Sequence, residues 1–147
     1  MPFLVEYDLV FLQKSWEWLN DPELKALTLT PDFSKQDQQR FYESLCIRKD
    51  YWIKGIEEEG KPVGAMGLKH ITNRDAEYWG YIGERNYWGK GIGAFMIKQA
   101  KDKARQLSLS SIYLRVSSGN ERAKRLYEKM GFQKTEEGPI EKYEMTV

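Results

Sequence analysis

Tyr87-Trp88-Gly89-Lys90-Gly91-Ile92-Gly93-Ala94 joins a strand-like run ending at Ile82 to a helical period that begins after Gly93. Glycines at such a junction let backbone N–H groups approach an anion closely, and the following helix adds unpaired N–H groups and the positive end of its dipole. A pyrophosphate meets these requirements, which makes Gly89, Lys90, Gly91, Ile92, Gly93 and Ala94 candidate binders. The plain alternative is a glycine turn that only connects strand to helix. Two nucleotide motifs are excluded by spacing, because there is no G-x-x-x-x-G-K-[ST] and the glycines do not fall as G-x-G-x-x-G.

Outward from this loop, elements of both kinds follow. Ala94, Ile97, Ala100, Ala104 and Leu107 recur at steps of three and four with Lys98, Lys101, Asp102 and Lys103 between them, which predicts an amphipathic helix. Ile112, Leu114 and Val116 alternate with Tyr113 and Arg115 as in a strand, and Ala123, Leu126 and Met130 mark a second helix capped by Gly131. Before the loop, Tyr51–Glu57, Pro62–Ile71 and Ala76–Ile82 read as an antiparallel meander. Ser34-Lys-Gln-Asp37 opens a predicted helix near 35–48 with a capping box, and Asn20-Asp21-Pro22 separates two earlier helical pieces. A short apolar start at Phe3–Tyr7 and two closing strands, Phe132–Thr135 and Lys142–Val147, complete an α/β fold with a mixed, mostly antiparallel central sheet flanked by helices.

A length of 147 residues with no linker or repeat predicts one domain over 1–147. The 23 basic and 22 acidic side chains leave a net charge of +1, so no global field invites nucleic acid or an anionic membrane. No apolar run approaches the roughly 20 residues that a membrane helix needs. Glu6 and Asp8 interrupt the apolar start, which argues against a secretion signal and for a cytoplasmic protein. One cysteine, Cys46, and one histidine, His70, cannot build an ordinary structural zinc site, so no metal is expected.

A second block, Asn120-Glu-Arg-Ala123-Lys-Arg-Leu126-Tyr127-Glu-Lys-Met-Gly131-Phe132, follows the strand Ile112–Val116. Together with the glycine loop it resembles the GNAT superfamily of acetyl-CoA-dependent N-acetyltransferases, over roughly residues 50–135. The resemblance implies acetyl-CoA as co-substrate, its pyrophosphate on the glycine loop, and transfer of the acetyl group by direct attack of a primary amine. Where the family usually opens the loop with Gln or Arg, this chain has Trp88. The grip is made by backbone N–H groups, so a changed side chain at the entry leaves activity open.

The same resemblance assigns roles. Tyr127 matches the family's general-acid tyrosine, with core packing beside Leu126 as the alternative; a phenol of ordinary pKa about 10 keeps its proton at neutral pH. Glu77 stands in the strand from which the family draws a general base. Alternation places it on one face with Trp79 and Tyr81, where a solvent-facing structural glutamate is the competing reading. His70 is second choice by its ordinary pKa. Asp75 and Glu84 are further carboxylates that the sequence does not rank. Gly80-Tyr81-Ile82-Gly83 fits a bulged or splayed strand whose amides meet the oxyanion and the pantetheine arm, so Tyr81, Ile82 and Gly83 join Trp88 among the cofactor-binding candidates. Asn120 is both a helix N-cap and a pantetheine contact. Lys90, Lys98, Lys101, Arg122, Lys124 and Arg125 read mostly as a solvated face, with some of them able to pair with the coenzyme's phosphates.

The acceptor is less legible. Trp16, Trp18, Phe33, Phe41, Tyr42, Tyr51 and Trp52 are dense enough to wall a site for a nucleobase or sugar, or to serve as core. Trp16-Glu-Trp18-Leu-Asn-Asp-Pro22-Glu resembles amino-sugar N-acetyltransferases of surface-polysaccharide pathways, such as that of pseudaminic acid, and also the ribosomal-protein N-terminal branch. The leading expectation is the amine of a nucleotide-linked amino sugar, followed by a protein N-terminus and then a polyamine or other small amine. An acidic pocket would favour the polyamine. A non-catalytic acetyl-CoA-binding module is the last alternative, and a homodimer is an expectation of the resemblance alone.

Overall fold

The computed structural model describes residues Met1–Val147. Its elements are β1 (Phe3–Val5), α1 (Leu9–Leu19), α2 (Pro22–Leu27), α3 (Lys35–Ser44), β2 (Trp52–Glu58), β3 (Lys61–Lys69), β4 (Asp75–Ile82), a 3₁₀ turn (Arg85–Tyr87), α4 (Ile92–Gln106), β5 (Ser111–Ser117), α5 (Glu121–Lys129), β6 (Gln133–Glu136) and β7 (Ile140–Thr146). The strands form one seven-stranded sheet in the order β1-β2-β3-β4-β5-β7-β6. All pairings are antiparallel except β4 with β5, which are joined by α4.

Local signals account for the helix starts. Asp8 caps α1 by accepting from the N–H groups of Val10 and Phe11. Asp21 caps α2, with Pro22 in its first turn. Ser34 and Asp37 form the expected reciprocal box at the start of α3. That helix ends at Ser44, earlier than the period suggested, and its whole face is at least partly exposed.

The core lies between the sheet and α4, which buries Ile92, Met96, Ile97, Ala100 and Ala104. Leu107, read as the last apolar position of that helix, is its partly exposed C-cap. On the opposite face of the sheet, Phe11, Trp18 and Leu24 form a smaller cluster that seats α1 and α2. Gly55 of β2 is what lets α1 approach, because a Cβ there would stand 2.5 Å from the Phe11 ring.

Overpacking a rigid aromatic contact costs about 1–3 kcal/mol, so Gly55→Ala is expected to lower the urea-unfolding free energy by that order. Gly119→Ala, where a Cβ would meet nothing within 4 Å, is expected to change it by less than about 0.5 kcal/mol.

Candidate active site

β4 and β5 pair over only Asp75–Glu77 and Ser111–Tyr113, and beyond these residues they part. β4 keeps an unbroken ladder with β3 from Glu77 to Ile82. Of the two distortions expected here, a bulge or a splay, the strand shows the splay: pairing with β3 is regular through Ile82, the N–H groups of Gly83 and Glu84 both donate to Val63 O just beyond it, and β4 parts from its other neighbour. Alternation then turns the backbone groups of Tyr78, Gly80 and Ile82 toward the opening, away from any strand partner. The amides of Tyr81 and Gly83 face β3, and the Trp18 ring packs where a Gly83 side chain would stand.

The opening continues into a cleft of about 400 Å³ lined by Tyr78, Gly80, Ile82, Trp88, Gly89, Gly91, Gly93, Ala94, Asn120, Arg122 and Tyr127 among others. Gly89 and Gly91 sit at φ +74° and +83°, a region that L side chains avoid. Gly91 caps α4 without any side-chain bond, so the first N–H groups of the helix are free to meet an anion. A Cβ on Gly93 would press to 2.7 Å from Leu126, so this glycine sets the close approach of α4 to α5. Ile92 enters the core, and only its backbone belongs to the loop. Lys90 is exposed on the outer side of the loop.

Trp88 closes the loop in its own way. Its indole N–H donates to Ile82 O at 2.8 Å, tying the glycine loop to the end of β4. The Arg85 and Arg122 guanidiniums lie 5.8 and 5.4 Å from its ring centroid. Two cations line the cleft without an ion pair, Arg122 and Lys129, and it is Arg122 whose guanidinium lies beside Gly89. Lys124 is engaged with Glu141 at 3.0 Å, and Lys101 faces another hollow. Asn120 caps α5, its Oδ1 accepting from Ala123 N–H, and still borders the cleft.

A second cavity, also about 400 Å³, lies on the α1–α3 side of the splay. Tyr7, Phe41, Tyr51, Trp79 and Tyr81 wall it, with Tyr51, Trp79 and Tyr81 packed in a row. Tyr7 donates to Ser15 Oγ, which meets Tyr81 Oη at 2.9 Å, fixing the far end of that wall. Gly67 leaves room for Trp79, whose indole nitrogen lies against it. Of the seven aromatics between Trp16 and Trp52 expected to wall an acceptor site, only Phe41 and Tyr51 reach this cavity. Trp18 is core, Trp16 packs edge-on against Phe33, and Tyr42 and Trp52 line a separate groove. Tyr7 was missed because one tyrosine after a short strand carries no pattern.

The charged groups on the cavity wall are Lys69, Glu77 and Arg115. Glu77 projects with Trp79 and Tyr81, as alternation requires, and its side chain is 12% exposed. Lys69 Nζ and His70 Nε2 stand 4.0 and 3.9 Å from its two oxygens. His70 itself is 61% exposed and is no part of the wall. The other carboxylates are engaged elsewhere: Asp75 accepts from Thr72 Oγ1, and Glu84 accepts from Trp18 Nε1.

The two cavities meet at Leu27, Thr28, Tyr78, Gly80, Tyr81 and Tyr127. Tyr127 reaches this junction from α5, held edge-on against Phe132. Burial pushes its phenol up to about 12, because the low-dielectric surroundings disfavour phenolate. The junction therefore holds a neutral hydroxyl donor across the physiological range. No cluster of side chains is suited to a metal ion, and no helix is long and apolar enough to cross a membrane.

Comparison with known proteins agrees with this geometry. A sequence model of the Acetyltransferase (GNAT) family matches residues 12–132. An uncharacterized protein of Methanocaldococcus jannaschii is 27% identical over 89 residues, which are 59% of this chain and 18% of that protein. The chain thus spans under a fifth of that relative's length. Spermidine N-acetyltransferase from Vibrio cholerae, solved with CoA and spermine, superposes with a TM-score of 0.88 at 21% identity, covering 99% of this chain and 95% of that one. The N-acetyltransferase PseH from Campylobacter jejuni, solved with acetyl coenzyme A, superposes with a TM-score of 0.77 at 15% identity, covering 99% of both chains. At these identities the likeness is one of fold.

Arg122→Ala is expected to weaken coenzyme A binding about tenfold by titration calorimetry, the scale of one charge-assisted hydrogen bond. Lys124→Ala is expected to lower stability, by leaving buried Glu141 with Lys134 alone, while changing coenzyme affinity less than about twofold.

Proposed function

The chain belongs to the GNAT family of acetyltransferases; on that premise we propose that it is an acetyl-CoA-dependent N-acetyltransferase whose acceptor is the primary amine of a nucleotide-linked amino sugar. The observation that carries the assignment of roles is the junction itself, where a cleft suited to the coenzyme opens into an aromatic-walled cavity between Glu77 and Tyr127.

Acetyl-CoA brings an activated thioester, and the residues do the rest. The free N–H groups at the start of α4 and the αL glycines suit the pyrophosphate, with Arg122 beside them. The unpaired strand amides of Gly80 and Ile82 suit the pantetheine arm and the developing oxyanion. Glu77 is the one carboxylate on the acceptor cavity and takes a proton from the incoming ammonium, directly or through water. His70, exposed and 3.9 Å behind it, offers that proton a way to solvent. Tyr127 supplies a proton to the departing sulfur.

The acceptor class rests on the cavity walls. Tyr51, Trp79 and Tyr81 present broad ring surface of the kind that stacks on a base or on the apolar face of a sugar. The cavity is not acidic, since Glu77 is accompanied by Lys69 and Arg115. A polyamine would have to bring several positive charges to this wall.

Thiol release from acetyl-CoA is expected with UDP-linked amino sugars at a kcat/KM at least about tenfold above that with spermidine or N-terminal peptides; a preference for either of the latter overturns the acceptor assignment. Tyr127→Phe is expected to lower kcat about 100-fold with little change in either KM. Because the phenol of Tyr127 stays protonated until about pH 12, the wild-type profile of kcat is expected to rise with pH and show no alkaline limb below about pH 10. Glu77→Gln is expected to flatten the rising limb, and an unchanged limb moves the base elsewhere.

A further inference from the structure

Among the charged groups of the acceptor cavity, Lys69 has its carboxylate partner in Glu77 at 4.0 Å, whereas Arg115 makes no ion pair. Its guanidinium leans on the Tyr113 ring at 6.0 Å and is otherwise open to solvent. The register says why it has been left free. Tyr113 is the last β5 residue opposite β4, across from Glu77. Arg115 lies two residues further on the same face, about 6.6 Å along the strand, where β4 has already turned away. No neighbouring strand on the β4 side can bring it a counter-charge. Its neighbour on the β7 side is Lys142, another cation, which has its own partner in Glu136 at 3.8 Å and packs on the same tyrosine.

An unpaired guanidinium beside the place where an amine must arrive opposes binding of an acceptor that is only cationic. It favours one that carries an anion, and a phosphate or carboxylate would give the planar fork a bidentate partner. We propose that Arg115 is the anchor for an anionic group of the acceptor, which in a nucleotide-linked sugar is the diphosphate, leaving the sugar amine toward Glu77 and the base toward the aromatic wall. This rests on the acceptor reading given above but makes a separate claim about a single side chain.

The test is calorimetric titration of UDP into protein saturated with coenzyme A, so that the coenzyme cleft is already filled. Wild-type protein is expected to bind UDP, Arg115→Gln about 10–100-fold more weakly, and Arg115→Lys in between. Lys142→Gln removes the same charge from the adjacent strand outside the cavity and is expected to leave UDP affinity within about twofold. Absence of UDP binding to the wild type, or equal loss in Arg115→Gln and Lys142→Gln, overturns the proposal. UDP binding that depends on Arg115, in a protein that does not acetylate UDP-linked amino sugars, upholds the anion anchor while removing the amino-sugar acceptor.

Discussion

Everything at the candidate site depends on the parting of β4 from β5 after three paired residues. Parallel neighbours in a sheet ordinarily satisfy one another's backbone groups along their whole length. Here the pairing stops at Glu77 and Tyr113, and both strands run on, each held only by its other neighbour. The exposed edges would be a liability on a sheet surface. Placed in the middle of the sheet they form a slot whose walls carry strand donors and acceptors and which opens into both cavities. Glycine at position 80 keeps the slot narrow on the α4 side, since a Cβ there would meet Met96 and the Tyr78 hydroxyl within 2.6 Å.

The segment 83–88 couples this slot to the α1–α2 cover. Glu84 accepts from the Trp18 indole, Arg85 bridges Asp21 and Glu23, and Trp88 reaches back to Ile82. Three successive anchors thus hold the glycine loop, the end of β4 and the first turn of α2 as one body. Leu27 and Thr28, at the other end of that short helix, border both cavities. The departure at Trp88 becomes intelligible in these terms. A Gln or Arg at the loop entry would offer a flexible polar chain, whereas the indole supplies one fixed hydrogen bond and a plate on which two arginines rest.

Periodicity and capping made most elements legible in advance. The turns that bound the meander strands, the period of α4, the Ser34 box and the Asn120 cap all depend on residues within a few positions of one another, and such signals are written locally. Glu77, Trp79 and Tyr81 could be placed on one face by alternation alone. Of the strand residues expected at the slot, Ile82 turns its backbone groups toward the opening together with Gly80, whereas the amides of Tyr81 and Gly83 face β3. Which parity faces the opening depends on the pairing with β3, a long-range property invisible in the strand itself. The acceptor wall was harder still. Tyr7, Lys69 and Arg115 come from separate strands or their flanks and acquire meaning only when the sheet assembles, whereas Trp16 and Trp18, conspicuous in the sequence, were spent on an outer pair and a core.

Backbone likeness and acceptor choice are settled by different parts of the molecule. The superposition on the spermidine enzyme is closer than that on PseH, yet both scores measure the course of the chain, which the splayed sheet dictates whatever amine is bound. On the proposed reading the acceptor meets side chains on one face of β3, β4 and β5 and on the covering helices, and changing two or three of them alters the sign of the cavity without moving a strand. In this chain that small set consists of a paired lysine and glutamate, an unpaired arginine and a row of aromatic rings. A polycation gains nothing from the arginine and loses electrostatically by approaching it, while a stacked, anionic acceptor uses every member of the set. The charge and ring surface of this cavity are therefore a stronger guide to the acceptor than the rank order of structural neighbours.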